Sequence, residues 1–138
     1  MKIAVARLKE GVMENFQESL TPGQLDIDTS EIKYKSNIDI SSDVKKDMQV
    51  LLAKTHLSAA AELTCSRCLK EFNQVVEKDF DTQYPLDKMQ RSIDITQDIR
   101  EEVILGYPLK FLCKPDCRGL CPECGKDLNS SKCNCKVN

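Results

Sequence analysis

The stretch from Leu51 to Tyr84, LLAKTHLSAAAELTCSRCLKEFNQVVEKDFDTQY, decides the fold. From Leu51 to Cys65, small and apolar side chains occupy every second position, and polar side chains such as Lys54 and Glu62 fill most positions between them. Successive side chains of a β-strand point to opposite faces, so this pattern predicts a long strand with one buried and one wet face.

A second strand is predicted after a short interruption. From Phe72 the alternation resumes through Val76 and Phe80, and Pro85 ends it because proline cannot donate to a sheet ladder. The two strands predict a β-hairpin that carries Cys65-Ser-Arg-Cys68, and therefore two sulfur atoms, at its tip.

The N-terminal third gives weaker patterns. Residues 2–6 indicate a short strand, and the alternate apolar side chains of residues 32–40 indicate another. Residues 8–20 fit either a helix or a strand, and Pro22-Gly23 is expected to end that segment. The side chains that recur there at helical spacing are Leu8, Val12, Met13, Phe16 and Leu20.

A helix is predicted after the hairpin. Asp94, with Gln97 three residues later, is typical of a capping box, and Gly106 and Pro108 are typical of a helix end. The apolar stripe expected to pack on the sheet consists of Ile95, Ile99, Val103 and Tyr107, with Ile104 beside them. The predicted fold class is α+β: an antiparallel sheet with a long central hairpin, one or two packed helices and a C-terminal cysteine-rich module.

The eight cysteines predict metal binding. Pairs of cysteines separated by two residues can wrap a tetrahedral zinc ion, with sulfurs about 2.3 Å from the metal. We expect one zinc site from Cys121, Cys124, Cys133 and Cys135. A second site is expected from Cys65, Cys68, Cys113 and Cys117 if the helix returns the chain to the hairpin tip; the rival is a single zinc with a loose Cys65/Cys68 pair.

Two other interpretations of the cysteines stay open. An even number at short spacing also fits a disulfide framework, but residues 1–10 lack the apolar core of a signal peptide and no segment reaches the ~20 apolar residues of a membrane span. We therefore expect a cytoplasmic protein with reduced thiols and no membrane partner. A thiol redox site at Cys65-Ser-Arg-Cys68 would need a strand-to-helix junction, whereas a strand is predicted there.

The distribution of charge along the chain, together with its length, indicates how it is divided into domains. The 138 residues carry a net charge of −2, which gives no case for nucleic acid from the whole chain. Residues 110–138 hold six basic and three acidic side chains, a balance of +3, so the remainder carries −5. We predict a sheet domain over residues 1–110 and a zinc module over residues 111–138.

No catalytic motif is present in the sequence. It contains no nucleophile with its base, no P-loop and no dinucleotide fingerprint, so we expect neither enzymatic activity nor a small-molecule substrate. The single histidine, His56, lies on the wet face of its strand and is expected to be a surface residue.

Three motifs resemble a known family. Cys65-Ser-Arg-Cys68-Leu69, the segment Glu102-Val-Ile-Leu-Gly-Tyr-Pro108 and the cysteine-rich run 113–135 occur in the order typical of the YceD family, the large ribosomal RNA subunit accumulation proteins of bacteria and plastids. The resemblance covers roughly residues 62–135, and Gly106-Tyr107 departs from the Ala-Leu usual before the proline.

The resemblance implies a non-catalytic cytosolic factor in the synthesis, processing or stability of 23S ribosomal RNA. The implied partner is ribosomal RNA or a pre-ribosomal particle; the alternative is a zinc module that grips a ribosomal protein or a processing enzyme without touching RNA. If the two metal sites converge, basic side chains gather on one rim, where they either bind RNA or, in the case of the two arginines, neutralise the thiolate centres. These side chains are Arg67, Lys70, Lys114, Arg118 and Lys126.

Overall fold

A long β-hairpin forms the centre of this computed structural model, which describes residues 1–107 and 110–135. Strand β5 pairs antiparallel with β6 over its whole length, from Val50 opposite Pro85 to Thr64 opposite Glu71. The elements in chain order are β1 (Lys2–Ile3), a 3₁₀ turn (Val5–Arg7), β2 (Met13–Leu20), α1 (Pro22–Leu25), β3 (Ile32–Tyr34), β4 (Ile38–Asp47), β5 (Val50–Thr64), β6 (Glu71–Pro85), β7 (Ile93–Asp94) and α2 (Thr96–Leu105).

The hairpin belongs to a five-stranded antiparallel sheet. Strand β6 covers one edge of β5, while β4 and β3 follow each other along its other edge and β2 pairs with β4. Strands β1 and β7 form a separate two-stranded sheet. The α+β class and the long hairpin predicted from the sequence are confirmed.

The buried face of the sheet is aliphatic, as the alternation predicts. Every second residue of β5 from Leu51 to Leu63 is buried, and Ile99 and Val103 of α2 are buried in the same core. The one buried polar pair, Ser42 and Thr55, is satisfied by a mutual hydrogen bond of 2.7 Å. The opposite face is wet, and His56 lies there as expected, with its Nδ1 2.6 Å from Asp79 Oδ1.

The structure decides the alternatives that the sequence left open in the N-terminal third. Residues 13–20 form strand β2, not a helix, because they pair with β4 residue by residue. Only Lys2–Ile3 of the segment 2–6 is a strand. Strand β2 ends at Leu20, just before Pro22-Gly23, as expected. Pro22 also begins helix α1, where the first turn does not need the N–H that proline lacks, and Thr21 and Gln24 form the capping box of this helix.

The single strand expected over residues 32–40 is two strands with a bulge between them. Lys35 N–H donates to Ala60 O at 2.8 Å, and the Ser36 hydroxyl accepts the Ala60 N–H at 2.9 Å. The side chain replaces a ladder carbonyl, so the chain follows the edge of β5 with a change of register.

Helix α2 is shorter than predicted. Asp94 lies in β7, and its carboxylate accepts the N–H of Thr96 at 3.0 Å, so the helix starts after it and the capping box is wrong. Gly106 ends the helix as expected, whereas Pro108 lies outside the described residues. Ile104, placed beside the apolar stripe by its spacing, is 39% exposed. No described helix is long and apolar enough to cross a membrane.

Candidate metal centres

Two Cys-x2-Cys turns of the chain share one backbone geometry. In the first, the Cys65 N–H donates to Lys70 O at 2.9 Å and the Leu69 N–H donates to Cys65 O at 3.0 Å. In the second, the Cys121 N–H donates to Lys126 O and the Gly125 N–H donates to Cys121 O, both at 2.8 Å. The residue after the second cysteine is left-handed in both turns, with φ of 59° at Leu69 and 73° at Gly125. Each turn therefore points two sulfurs to the same side, as a zinc knuckle does.

The first sulfur cluster lies at the hairpin tip. The Sγ atoms of Cys65 and Cys117 are 3.7 Å apart, and those of Cys68 and Cys113 are 3.6 Å apart. All four sulfurs lie within 4.8 Å of one another. Cys113 is half-buried and the other three are buried, so the cluster is nearly closed to water. We call this group cluster 1.

The second sulfur cluster, cluster 2, lies within the C-terminal segment. Its members also lie within 4.8 Å of one another, and they are Cys121, Cys124, Cys133 and Cys135. Cys121 is buried, Cys133 is half-buried and the other two are exposed. The structure thus brings the eight sulfurs into the two groups of four that the spacing suggested, and does not leave Cys65 and Cys68 as an isolated pair.

The sulfur atoms fit tetrahedral zinc. All eight cysteines are free thiols. Four sulfurs about 2.3 Å from a central zinc lie about 3.8 Å from one another, close to the 3.6 and 3.7 Å separations of cluster 1. An all-sulfur tetrahedral set favours a soft ion such as zinc over magnesium or calcium, and with no open position it supplies structure and not a catalytic site.

Close backbone approach joins the tail to the hairpin tip. A Cβ on Gly119 would lie 3.2 Å from the carbonyl oxygen of Arg67 and 3.3 Å from its Cβ, so only glycine fits without displacing the tip. Arg67 also binds the tail through its side chain, because its guanidinium donates to Cys117 O at 2.9 Å. A backbone hydrogen bond also joins the two, from the N–H of Ser66 at the tip to Phe111 O at 2.7 Å.

Asn129 organises cluster 1 from the tail. Its amide nitrogen donates to Cys117 Sγ at 3.4 Å, and its amide oxygen accepts the N–H of Arg118 at 2.9 Å. Sequence reasoning missed both Asn129 and Gly119 as positioning residues. Their only signal was the family motif that contains them, since neither is a metal ligand.

Hydrogen bonding and burial divide the thiols into stronger and weaker acids. Burial opposes ionisation of Cys65, but backbone N–H groups of Cys68, Cys113 and Arg67 donate to its sulfur and lower its pKa to about 6. The same kind of donation, from the N–H groups of Cys124 and Glu123, lowers the pKa of Cys121 to about 7.

The opposite shift occurs in each cluster. Burial, together with the neighbouring thiols, raises the pKa of Cys113 to about 12, and the thiol of Cys124 followed by burial raises that of Cys135 to about 12. Four clustered sulfurs cannot all carry negative charge without a cation between them, which is the role a zinc ion fills.

The five predicted rim cations are placed differently. Arg67 is engaged by Cys117 O, whereas Lys70 and Lys114 line a cavity of about 320 Å³ beside cluster 1 that also contains Phe72. Arg118 and Lys126 are exposed on the tail. Their role in RNA binding stays a prediction.

Comparison with known proteins bears on this region. Residues 81–138 match the family model of the large ribosomal RNA subunit accumulation protein YceD. An uncharacterised protein of Mycobacterium tuberculosis is 26% identical over 148 residues, covering 94% of this chain and 72% of the relative. No solved structure gives a significant match.

Two chloroplast proteins that carry the name of the same family are also similar to this chain. The large ribosomal RNA subunit accumulation protein YCED homolog 1 of Zea mays is 39% identical over 70 residues, 50% of this chain and 23% of the relative. The protein of the same name from Arabidopsis thaliana is 40% identical over 45 residues, 33% of this chain and 14% of the relative. The match of residues 81–138, together with these relatives, confirms the resemblance of the C-terminal part of the chain to the YceD family.

Proposed function

We propose that this protein is a non-catalytic factor in the accumulation of large-subunit ribosomal RNA, that it contacts RNA at its cysteine end, and that two zinc ions hold that end together. The observation that carries the proposal is cluster 1, in which the hairpin tip and the tail each supply two of the four sulfurs. The tail belongs to the part that matches the YceD family, so the family region and the hairpin tip form one site.

Charge supports RNA contact at this end. Lys70 approaches the cavity beside cluster 1 from the hairpin and Lys114 from the tail, and neither forms a salt bridge among the described residues. Phe72 adds an aromatic side chain on which an unpaired base can stack. The lining also contains one acid, Asp127, so its balance is +1. Two cations and an aromatic ring in one cavity suit a single RNA strand better than a duplex.

The outer face of the sheet argues that RNA binds at the end and not across the strands. Acidic side chains crowd that face, so its field repels phosphates. They include Asp39, Asp43, Glu77, Asp79 and Asp81, all of them exposed. RNA is therefore steered toward the ends of the hairpin.

Arg67 fits a structural role better than RNA contact. Its guanidinium is held by Cys117 O, beside four sulfurs that would leave a net charge of about −2 around a zinc ion. An arginine in this place neutralises the centre and ties the tip to the tail. The proposed RNA contacts are therefore Lys70 and Lys114, with Arg118 and Lys126 on the adjoining surface.

One observation favours a second candidate function, a zinc module that grips a ribosomal protein or processing enzyme. Leu69, in the hairpin-tip turn, is 64% exposed and holds a left-handed conformation that a large apolar residue rarely adopts. An exposed leucine held in this way would suit an apolar protein contact.

RNA binding by paired variants tests the proposal. Lys70→Ala/Lys114→Ala should weaken binding to ribosomal RNA and reduce the slope of log affinity against log salt by about 1.4, roughly 0.7 for each lost single-strand phosphate contact. The control is Lys33→Ala/Lys54→Ala, which removes the same charge from exposed positions on the sheet. Zinc content should remain two ions per chain in both variants.

Two outcomes would contradict the proposal. Equal RNA affinity in the two double variants would remove the cysteine end as an RNA site. Loss of partner capture in Leu69→Ser, with no RNA binding by the unmodified protein, would establish the protein-interaction alternative instead.

A further inference from the structure

A second cavity lies at the far end of the hairpin, away from both sulfur clusters. It has a volume of about 590 Å³ and is enclosed by the 3₁₀ turn after β1, the turn between β4 and β5, and the loop 86–91 after β6. Val5 and Leu86 contribute an apolar lining. The cysteine motifs do not account for this cavity, because its walls come from residues 5–6, 46–49 and 86–91 and include no cysteine. Of these segments, 86–91 lies within the family match.

Three cations line the cavity. They are Lys46 from the end of β4 and Lys88 and Arg91 from the loop, and none forms a salt bridge among the residues that the structure describes. Asp87 is the one acidic residue of the lining, and its carboxylate accepts the N–H of Met89. The nearby Glu10 carboxylate likewise accepts the N–H of Met48. A carboxylate keeps its charge when it accepts an N–H, so three cations against Asp87 leave the lining with a balance of +2, or +1 when Glu10 is counted.

Two exposed methionines line the same cavity. Met48 is 82% exposed and Met89 is 86% exposed, although methionine usually fills cores. Met48 also has φ of 54°, a conformation that costs an L-residue roughly 1–2 kcal/mol and that glycine or asparagine would adopt more readily. The two-residue turn between Asp47 and Val50 requires a positive φ, so the hairpin itself holds Met48 at the edge of the cavity.

We propose that this cavity is a second phosphate-binding site, which holds the phosphates of a single RNA strand while the methionine side chains contact its bases. Lys46, Lys88 and Arg91 supply the charge, and Arg91 offers a two-pronged contact that suits a phosphate group. The assignment to RNA rests on the proposed function, whereas the affinity for phosphate follows from the cavity itself.

The position of the cavity would allow one RNA strand to contact both sites. Strand β5 has 15 residues, so the hairpin separates the cavity from cluster 1 by roughly 50 Å. The acidic outer face of the sheet lies between them. An RNA held at both ends would span the molecule without lying on the sheet, and two linked contacts would bind more tightly than either alone.

Methyl signals of the methionines test the proposal at residue level. The chain has four methionines, of which Met48 and Met89 report on the cavity while Met1 and Met13 lie outside its lining. We would titrate methyl-labelled protein with a single-stranded RNA of about six nucleotides, too short to bridge both ends, and separately with inorganic pyrophosphate. Lys88→Ala/Arg91→Ala is the test variant and Lys33→Ala/Lys54→Ala the charge-matched control.

The expected result is a shift of the Met48 and Met89 signals with RNA, at concentrations below those at which pyrophosphate acts. The shift should be lost in Lys88→Ala/Arg91→Ala and kept in the control and in Lys70→Ala/Lys114→Ala. A shift that is kept in Lys70→Ala/Lys114→Ala shows that this site binds independently of the one at the cysteine end. Unmoved Met48 and Met89 signals with both ligands would overturn the cavity as a phosphate site, and a response to pyrophosphate alone would overturn its assignment to RNA.

Discussion

Left-handed backbone conformations occur at the turns that carry the cysteines. Gly125 fills this position in one knuckle and Leu69 fills it in the other, with the same hydrogen bonds around both. Gly119 is left-handed too, with φ of 76°, but it differs because the hairpin tip presses against it. The sequence predicted the role of Gly125 from its place in the knuckle, but it gave no sign that Arg67 would approach Gly119, since 52 positions in the numbering separate them.

Alanine at these two glycines should separate backbone strain from steric contact. A Cβ on Gly125 meets nothing within 4 Å, so Gly125→Ala should lower the free energy of unfolding of the zinc-loaded protein by about 1 kcal/mol, from φ alone. Gly119→Ala adds an overpacking cost of about 1–3 kcal/mol, because the opposing atoms belong to backbone and Cβ. Chemical denaturation of both variants measures the difference, and equal losses would show that the approach to Arg67 carries no constraint.

At the scale of elements, the long periodic segments were predictable and the short ones were not. The alternation of β5 and β6 extends over 15 residues each, so register and burial follow directly from it. Helix α1 has four residues and depends on Thr21 and Gln24 capping each other, which periodicity cannot reveal. Segment 13–20 was ambiguous because half-buried edge strands show weak alternation, and pairing with β4 decided it.

The start of α2 gives a prediction with a defined pH dependence. Hydrogen bonds from the Thr96 side chain, and then from its backbone N–H, hold the pKa of Asp94 below its ordinary 3.8. A lowered folded-state pKa contributes stability that is present above the unfolded pKa and is lost as the pH falls through the folded value. Asp94→Ala should therefore lower the free energy of unfolding by about 0.5 kcal/mol at neutral pH, the low end for one hydrogen bond, because the Asp94 side chain is 63% exposed.

The same difference should shrink once the pH falls below about 3.8. Asp81→Ala is the control, because Asp81 is exposed on the sheet and removes the same charge. Urea denaturation of the unmodified protein and both variants at several pH values makes the comparison. A loss in Asp94→Ala that stays constant through the acid range would contradict the role of the carboxylate at the helix start.

For the molecule as a whole, the sequence could indicate the cysteine sets but not the path that joins them. Whether Cys113 reaches Cys68 depends on where α2 returns the chain, which is a tertiary property. The tail itself has almost no apolar core: the buried residues between 111 and 135 are Cys117, Gly119 and Cys121. Lys136, one of the six basic side chains of residues 110–138, and the apolar Val137 lie outside the described part. The separation into domains 1–110 and 111–138 remains a proposal, and cluster 1 would join the two.

A segment with so little buried apolar surface cannot offset its ordering entropy, so metal must supply the difference. Structural zinc sites of small domains contribute about 10–16 kcal/mol. We expect chelation to abolish hydrogen-exchange protection at amides that depend on the clusters, such as Cys121 and Leu128 in the tail and Cys65 at the tip. The Ile99 amide of α2, bonded to Ile95 O, should stay protected because it belongs to the aliphatic core.

Removing one cluster at a time sharpens this test. Cys124→Ser/Cys135→Ser removes two ligands of cluster 2 only, so exchange should accelerate at Cys121 while the Cys65 amide stays protected and one zinc ion per chain remains. Cys68→Ser/Cys113→Ser should instead accelerate exchange at the Cys65 amide. It should also release the tail from the hairpin, because cluster 1 takes two sulfurs from the tail and two from the hairpin tip. Protection at Cys65 and Cys121 that survives chelation would mean that backbone hydrogen bonds alone maintain this end, and zinc would then be dispensable to the fold.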